Sequence, residues 1–345
     1  MKKTTKRILG ALAILAAFTF ISCQSDDSNG SDSDTDTPNV KLPGTPGGTS
    51  NPNDIFAGKT FYDDDNDDKD KKFEFSGNGT MTLYYNHADR HNQEEWSKSL
   101  EYSYSIGDNN SANFVTKAVY LNEKAYSYSE AIELTNSFDK NYFLENLKED
   151  YDDEEFDFTT EEGLLDCIKY DLSTEGIFLD KDIDCQTAQN KYVEYSKNYL
   201  KEYLTSIFTS VLKLTYSKNE DGTISIDVPD SATFLEILSL YSSPFDFCYF
   251  EDKLYTVGIY GKTSGDFSLL AADGKTISGR IYAVDNSKIY GVIESDVRYE
   301  PYTGKIEFPY TTEGTGKNTI VKFSYAENSY TITFASDNFK FYPAE

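Results

Sequence analysis

Apolar and polar positions alternate in short runs, give way to a helical period in the middle of the chain, then alternate again. Lys72-Phe73-Glu74-Phe75-Ser76 alternates, Gly77-Asn78-Gly79 supplies turn residues that accept a positive φ, and Thr80-Met81-Thr82-Leu83-Tyr84-Tyr85 alternates once more. This predicts a β-hairpin with one face buried. Runs at 100–106 and 114–121 continue it, so residues 54–122 read as an N-terminal β region. Residues 123–212 read as a helical insertion. There Thr159-Thr160-Glu161-Glu162 has the form of a capping box ahead of an apolar segment. Val193, Leu200, Leu204, Ile207 and Val211 make one apolar stripe on a helix over about 187–212, and another helix is predicted over 129–147. Residues 213–345 return to strands. Leu214-Thr215-Tyr216 and a run at 223–228 flank the turn Asn219-Glu220-Asp221-Gly222, and 231–241 reads as a short helix. Further strand runs follow at 253–260, 276–284, 288–294, 304–310, 319–325, 329–334 and 339–342. Turns spaced about ten residues apart are the rhythm of an antiparallel barrel or sandwich. The expected fold is mainly β with an α-helical insertion, an α+β chain.

The first 53 residues carry an address and a spacer. Lys2, Lys3, Lys6 and Arg7 precede an uncharged, mostly apolar run at 8–21. That run is too short to cross about 30 Å of hydrocarbon as a helix but suits a signal peptide over residues 1–22. Phe20-Ile21-Ser22-Cys23 resembles the lipobox of bacterial lipoproteins, with Phe20 where Leu is usual. The resemblance implies cleavage before Cys23, acylation of that residue, and attachment to the outer membrane, since several acyl chains anchor where one does not. Gln24 in place of Asp favours the outer membrane in such proteins, and Ser25-Asp26-Asp27 resembles an acidic surface-export tract of Bacteroidetes lipoproteins. Residues 23–53 are dominated by Ser, Asp, Thr, Gly and Pro. They are expected to form a disordered tether with a reach of about 30 Å.

Composition narrows the partners. Lys plus Arg is 32 and Asp plus Glu is 59, a formal charge of −27. Such a chain lacks the cations that neutralise nucleic-acid phosphates or anionic headgroups, so neither surface is an expected partner. Tyr (28) and Phe (23) are abundant enough to build cores. They read as strand formers, and the single Trp96 offers no aromatic platform.

Ala57-Gly58-Lys59-Thr60-Phe61, followed by Phe73-Glu74-Phe75-Ser76-Gly77-Asn78-Gly79-Thr80, is similar to the opening of lipocalin-like lipoproteins of spirochaetes. Phe61 stands where that family usually has Trp, one residue further from the Gly. The resemblance covers residues 55–122, resumes near Leu214, and implies a barrel with a cup for a small apolar ligand.

Few residues could carry chemistry. His87 and His91 lie at i and i+4, a spacing that suits Zn²⁺ on a helix, with Glu94 or Glu95 as a carboxylate ligand. Ala88 stands where a zinc protease needs its Glu, so proteolysis is not expected. Asp63, Asp65 and Asp67 match positions 1, 3 and 5 of a calcium loop, and Glu74 matches position 12. Asp68 replaces the turn Gly, which leaves at most a loose Ca²⁺ site. Cys167 and Cys185 flank a short segment between predicted helices and are the expected disulfide, stabilising by about 3 kcal/mol. Cys248, in an apolar run, reads as a buried thiol. No Walker, Rossmann or nucleophile-elbow motif is present. The expected protein is a lipid-anchored outer-membrane or cell-surface lipoprotein, a non-enzymatic binding or adhesion module. Its partners are the membrane, through Cys23, and a host or envelope macromolecule. The alternatives are a carrier of a small apolar ligand and a metal-binding protein.

Overall fold

The computed structural model describes residues 54–64, 69–86, 96–151, 156–241, 243–245, 247–252, 256–337 and 339–344. The chain begins with β1 (Thr60–Tyr62), β2 (Lys71–Phe75), β3 (Thr80–Asn86), β4 (Trp96–Ile106), β5 (Ser111–Leu121) and the short β6 (Lys124–Tyr126). Helices α1 (Tyr128–Ser137), α2 (Lys140–Asp150), α3 (Glu161–Thr174) and α4 (Cys185–Thr209) follow. Strands β7 (Val211–Lys218) and β8 (Ile224–Asp227) come next, then helix α5 (Phe234–Tyr241). The remaining strands are β9 (Cys248–Glu251), β10 (Val257–Ile259), β11 (Gly265–Leu270), β12 (Thr276–Val284), β13 (Lys288–Ile293), β14 (Gly304–Glu313), β15 (Ile320–Tyr325), β16 (Asn328–Ser336) and β17 (Lys340–Pro343).

These elements form two compact units. One takes the chain through Phe138, Lys197–Pro229 and the C-terminal strand, and the other takes Asp139–Ser196 and Asp230–Asp337. Each holds its own closed eight-stranded antiparallel barrel. In the first, β1 to β5, β7, β8 and β17 run up and down in chain order, and β17 closes the ring between β8 and β1. Strand β6 hangs on the edge of β5. In the second, β9 to β16 pair in strict sequence and β16 returns to β9. This up-and-down closure is the lipocalin-like architecture that the opening strands foreshadow, built twice. The C-terminal β region expected over 213–345 is thus shared out: β7, β8 and β17 close the first barrel, and β9 to β16 make the second.

Local chemistry sets the helices. Ser127 and Glu130 make a capping box on α1, and Thr233 with Glu236 makes another on α5. Thr160 caps α3 by accepting the Gly163 N–H at 3.1 Å. The single helix expected over 129–147 is two, because Phe138 is extended and Asp139 caps α2 at Tyr142 N. Helix α4 ends at Thr209, and Val211 of the expected stripe already pairs in β7 opposite Val115.

The lower part of the first barrel is filled by rings. Phe56, fully buried ahead of β1, stacks on Phe75 at 4.9 Å and meets Tyr216 at 5.0 Å. Tyr104 lies 5.2 Å from Phe75 and 6.0 Å from Phe114. Asp54 fixes this plug by accepting the N–H groups of Phe56 and Ala57 and the Tyr104 hydroxyl. In the second barrel Phe267, Phe308 and Phe323 pack in sequence at 5.5 and 5.2 Å. Helix α5 brings Phe234 against Phe250 at 4.8 Å and Tyr310 at 5.3 Å.

Candidate functional site

Strand alternation in the first barrel turns Phe61, Phe73, Leu83 and Leu100 inward, all of them buried. Their neighbours therefore face outward. Register joins Tyr62 to Lys72, Lys72 to Tyr84 and Tyr84 to Lys98, one row crossing β1 to β4. Trp96, opposite Asn86, sits on the same side at the end of β4. Its ring lies 5.7 Å from that of Tyr62, tilted by 43°. Lys72 Nζ stands 4.0 Å from the Tyr84 ring centre and 5.4 Å from that of Trp96. The same amine is 3.2 Å from Glu74 Oε1. Tyr84 donates its hydroxyl to Glu74 Oε2 at 2.6 Å, and burial followed by this bond pushes its ionisation well up. Lys69 Nζ covers the Tyr62 ring at 4.3 Å, and Asn86 Nδ2 donates to Lys69 O at 3.0 Å.

A second group lies further round, on β4 and β5. Tyr120 donates to Glu101 Oε2 at 2.9 Å, Lys117 Nζ pairs with Glu101 Oε1 at 2.9 Å, and Lys98 Nζ is 5.3 Å from the Tyr120 ring. Burial, then the Glu101 carboxylate, raises the Tyr120 phenol to about 12. Each amine over a ring contributes about 0.5–1 kcal/mol at such exposure. Tyr62, Tyr84, Trp96 and Tyr120 are all half-buried on this face. Rings, amines and carboxylates already engaged with one another suit recognition by contact. Tyr62 and Tyr84 join Trp96 on this face from strands that only the closed sheet brings together.

The residues singled out from sequence separate. Cys23, Asp65, Asp67, His87 and His91 lie outside the described residues, as do Glu94 and Glu95. Asp63 Oδ1 accepts the backbone N–H groups of Asp70 (3.2 Å) and Lys71 (2.9 Å), which staples the connection between β1 and β2. Burial raises its carboxyl against the lowering pull of the Lys71 N–H and charge. Glu74, expected at the last position of a calcium loop, is held on the outer face of β2 by Tyr84 and Lys72. Among the described residues no group of three or more His, Cys, Asp or Glu is placed to hold a metal ion.

The expected Cys167–Cys185 bridge is not formed. Both residues, and Cys248, are free thiols. Cys167 points into the core from the middle of α3, fully buried, whereas Cys185 opens α4 half-exposed with Gln189 Nε2 at 3.1 Å from its sulfur. Cys248 is buried and donates to Ile237 O at 3.5 Å.

No protein-family model, curated protein or solved structure matches this chain.

Proposed function

We propose that this protein is a non-enzymatic binding module, held on a bacterial outer membrane by acyl chains on Cys23, that contacts a host or envelope macromolecule through its Trp96 face. The observation that carries this reading is the gathering of Tyr62, Tyr84 and Trp96, half-exposed, around Lys72 on the outside of the first barrel. Aromatic rings left on an outer strand face are contact residues of recognition surfaces. The filled lower barrel favours a recognition surface away from its centre, and the lipobox-like segment and tether would present the face clear of the membrane. Rings packing within van der Waals reach through the second barrel weigh against an apolar carrier there.

Two measurements test this. Growth with an alkyne-bearing palmitate should label the wild-type protein in the outer-membrane fraction, and Cys23→Ala should abolish the label and release the protein. Cells displaying the wild type should be retained on immobilised matrix proteins, mucin or peptidoglycan. Trp96→Ala and Tyr62→Ala should each cut that retention at least about tenfold with circular dichroism unchanged, the loss expected of a hot-spot ring. Unaltered retention by both variants, or turnover of a defined substrate, would overturn the reading.

A further inference from the structure

Strands β9, β10 and β11 of the second barrel turn Phe250, Val257, Ile259 and Phe267 inward, all of them buried. Glu251, Gly258 and Asp266 are register partners across the three strands, so they share the outer face. Tyr249, two residues before Glu251, and Tyr260, two residues after Gly258, share it too. Their rings lie 5.9 Å apart, tilted by 45°. Tyr241, at the end of α5, brings a third ring to 6.0 Å from that of Tyr260, tilted by 42°. A methyl on Gly258 would fall 2.5 Å from the Tyr260 hydroxyl and 2.8 Å from its Cζ. The Tyr260 ring is therefore laid along its own strand in the space the glycine leaves, with one side against backbone and the other turned outward. Its hydroxyl end then lies between the strands that bear Glu251 and Asp266. The three tyrosines and Glu251 are half-buried, and Asp266 is exposed. All of these residues belong to one unit.

We propose that this outer face of the second barrel is a docking surface for a basic segment of a partner protein, which lays Arg or Lys side chains across the three rings and beside the two carboxylates. Ring faces attract guanidinium and ammonium groups, and Arg also stacks flat on them. The carboxylates set the sign of the partner. Among the described residues, neither Glu251 nor Asp266 forms an ion pair or accepts a hydrogen bond. Arg280, opposite Asp266 on β12, makes no ion pair with it. The groups around Glu251 are acids. Asp252 follows it in the chain, and Asp337, whose N–H donates to Phe247 O at 2.8 Å, stands at the start of the same strand. Burial, then these two charges, already raises the Glu251 carboxyl, a repulsion that an incoming cation relieves. Glu251 and Asp266 stand two strand spacings apart, about 10 Å, with the Tyr260 ring between them. Several basic side chains fit that span better than one amine. The charge of −27 draws such a segment in.

The test uses the full chain carrying Cys23→Ser. Fluorescein-labelled octa-arginine is the probe, with octaglutamate and spermine beside it, at about 0.15 M salt so that long-range attraction is screened. Fluorescence anisotropy gives the affinity, and hydrogen exchange locates binding. Octa-arginine should bind and slow exchange at 248–251, 257–260 and 265–270. Tyr260→Leu, which removes a ring and no charge, should weaken binding at least about fivefold, and Tyr260→Phe should retain it. Gly258→Ala, whose methyl displaces the ring, should weaken it with circular dichroism unchanged, and stands in should Tyr260→Leu disturb the fold. Glu251→Gln should weaken it about threefold. Glu133→Gln, an exposed acid on α1, should leave it unchanged. Equal losses from Glu251→Gln and Glu133→Gln, with none from Tyr260→Leu, would reduce the effect to net charge. Equal protection by spermine would make the face a small-amine site. Either result, binding of octaglutamate, or no protection by octa-arginine overturns the proposal.

Discussion

Phe267→Ala tests whether the second barrel is solid. The Phe267 side chain is 3% exposed and reaches Phe308 at 5.5 Å between ring centres. A methyl on Gly279 would fall 2.4 Å from its Cζ, and one on Gly291 would fall 2.7 Å from its Cε1. The two glycines are therefore the space into which the ring fits. Removing the ring opens a cavity walled partly by bare backbone, where nothing can swing in to fill it, and should cost about 3–5 kcal/mol. Gly291→Ala errs the other way. Its methyl also meets Arg280 O at 2.9 Å, so ring and strand must both yield, at about 1–3 kcal/mol. In the double variant the new methyl grows into vacated space, so the two costs should fall short of additive by about 1 kcal/mol or more. Urea unfolding followed by far-ultraviolet circular dichroism gives the free energies. Hydrogen exchange at 265–270 assigns them to this barrel, since the only tryptophan lies in the other one. The cavity variant should also gain affinity for a small apolar probe such as benzene. A cost below about 1 kcal/mol for Phe267→Ala, with strict additivity, would refute the reasoning and return the barrel to the class of hollow carriers.

Four further outcomes are expected. Asp285 accepts the Tyr290 hydroxyl and the N–H groups of Ser287 and Lys288, which lower its ionisation from 3.8 to about 2. A depressed folded value adds stability that is complete above the unfolded value and is lost as pH falls through the folded one. Asp285→Asn should therefore flatten the fall in Tm between pH 3.8 and about 2, and an unchanged slope would contradict the turn chemistry. Gly222, in the turn between β7 and β8, has φ +88, so Gly222→Ala should cost about 1 kcal/mol or more in urea unfolding. Gly77→Ala, with open space at its Cβ, should shift stability by less than about 0.5 kcal/mol. Native alkylation should modify Cys185 fast and reach Cys167 and Cys248 only on unfolding. A protein two hydrogens lighter before reduction would restore the bridge.

Local signals in the sequence placed most of the elements. The hairpin of β2 and β3, the Asn219–Gly222 turn, helix α5 and the strands from β12 to β17 follow from alternation, turn residues and caps, all of which act within a few residues of chain. Three strands escaped, the first being the short β6, which lies in the stretch 123–212 read as helical. Strand β9 sits in the run from Phe245 to Phe250, which is apolar at almost every position and so carries no period of two. Strand β11 opens with Gly265, placed where backbone must pass close to Gly258 O.

What only the tertiary structure decided is which strands belong together. Strand β8 finds β17 across more than a hundred residues of intervening chain, and β9 closes on β16 instead of joining its neighbours in the first barrel. Backbone ladders are chemically alike, so an amphipathic strand names its buried face but not its partner. The same limit hid the candidate surfaces. Bulges between Leu83 and Tyr84 and between Glu101 and Tyr102 reset which residues oppose which. With that register fixed, Tyr62 meets Trp96 outside the barrel while Tyr102, opposite Thr116, is buried. The sequence determined that these residues were strand and helix tyrosines. Closure of the sheet determined which of them face water and which are core.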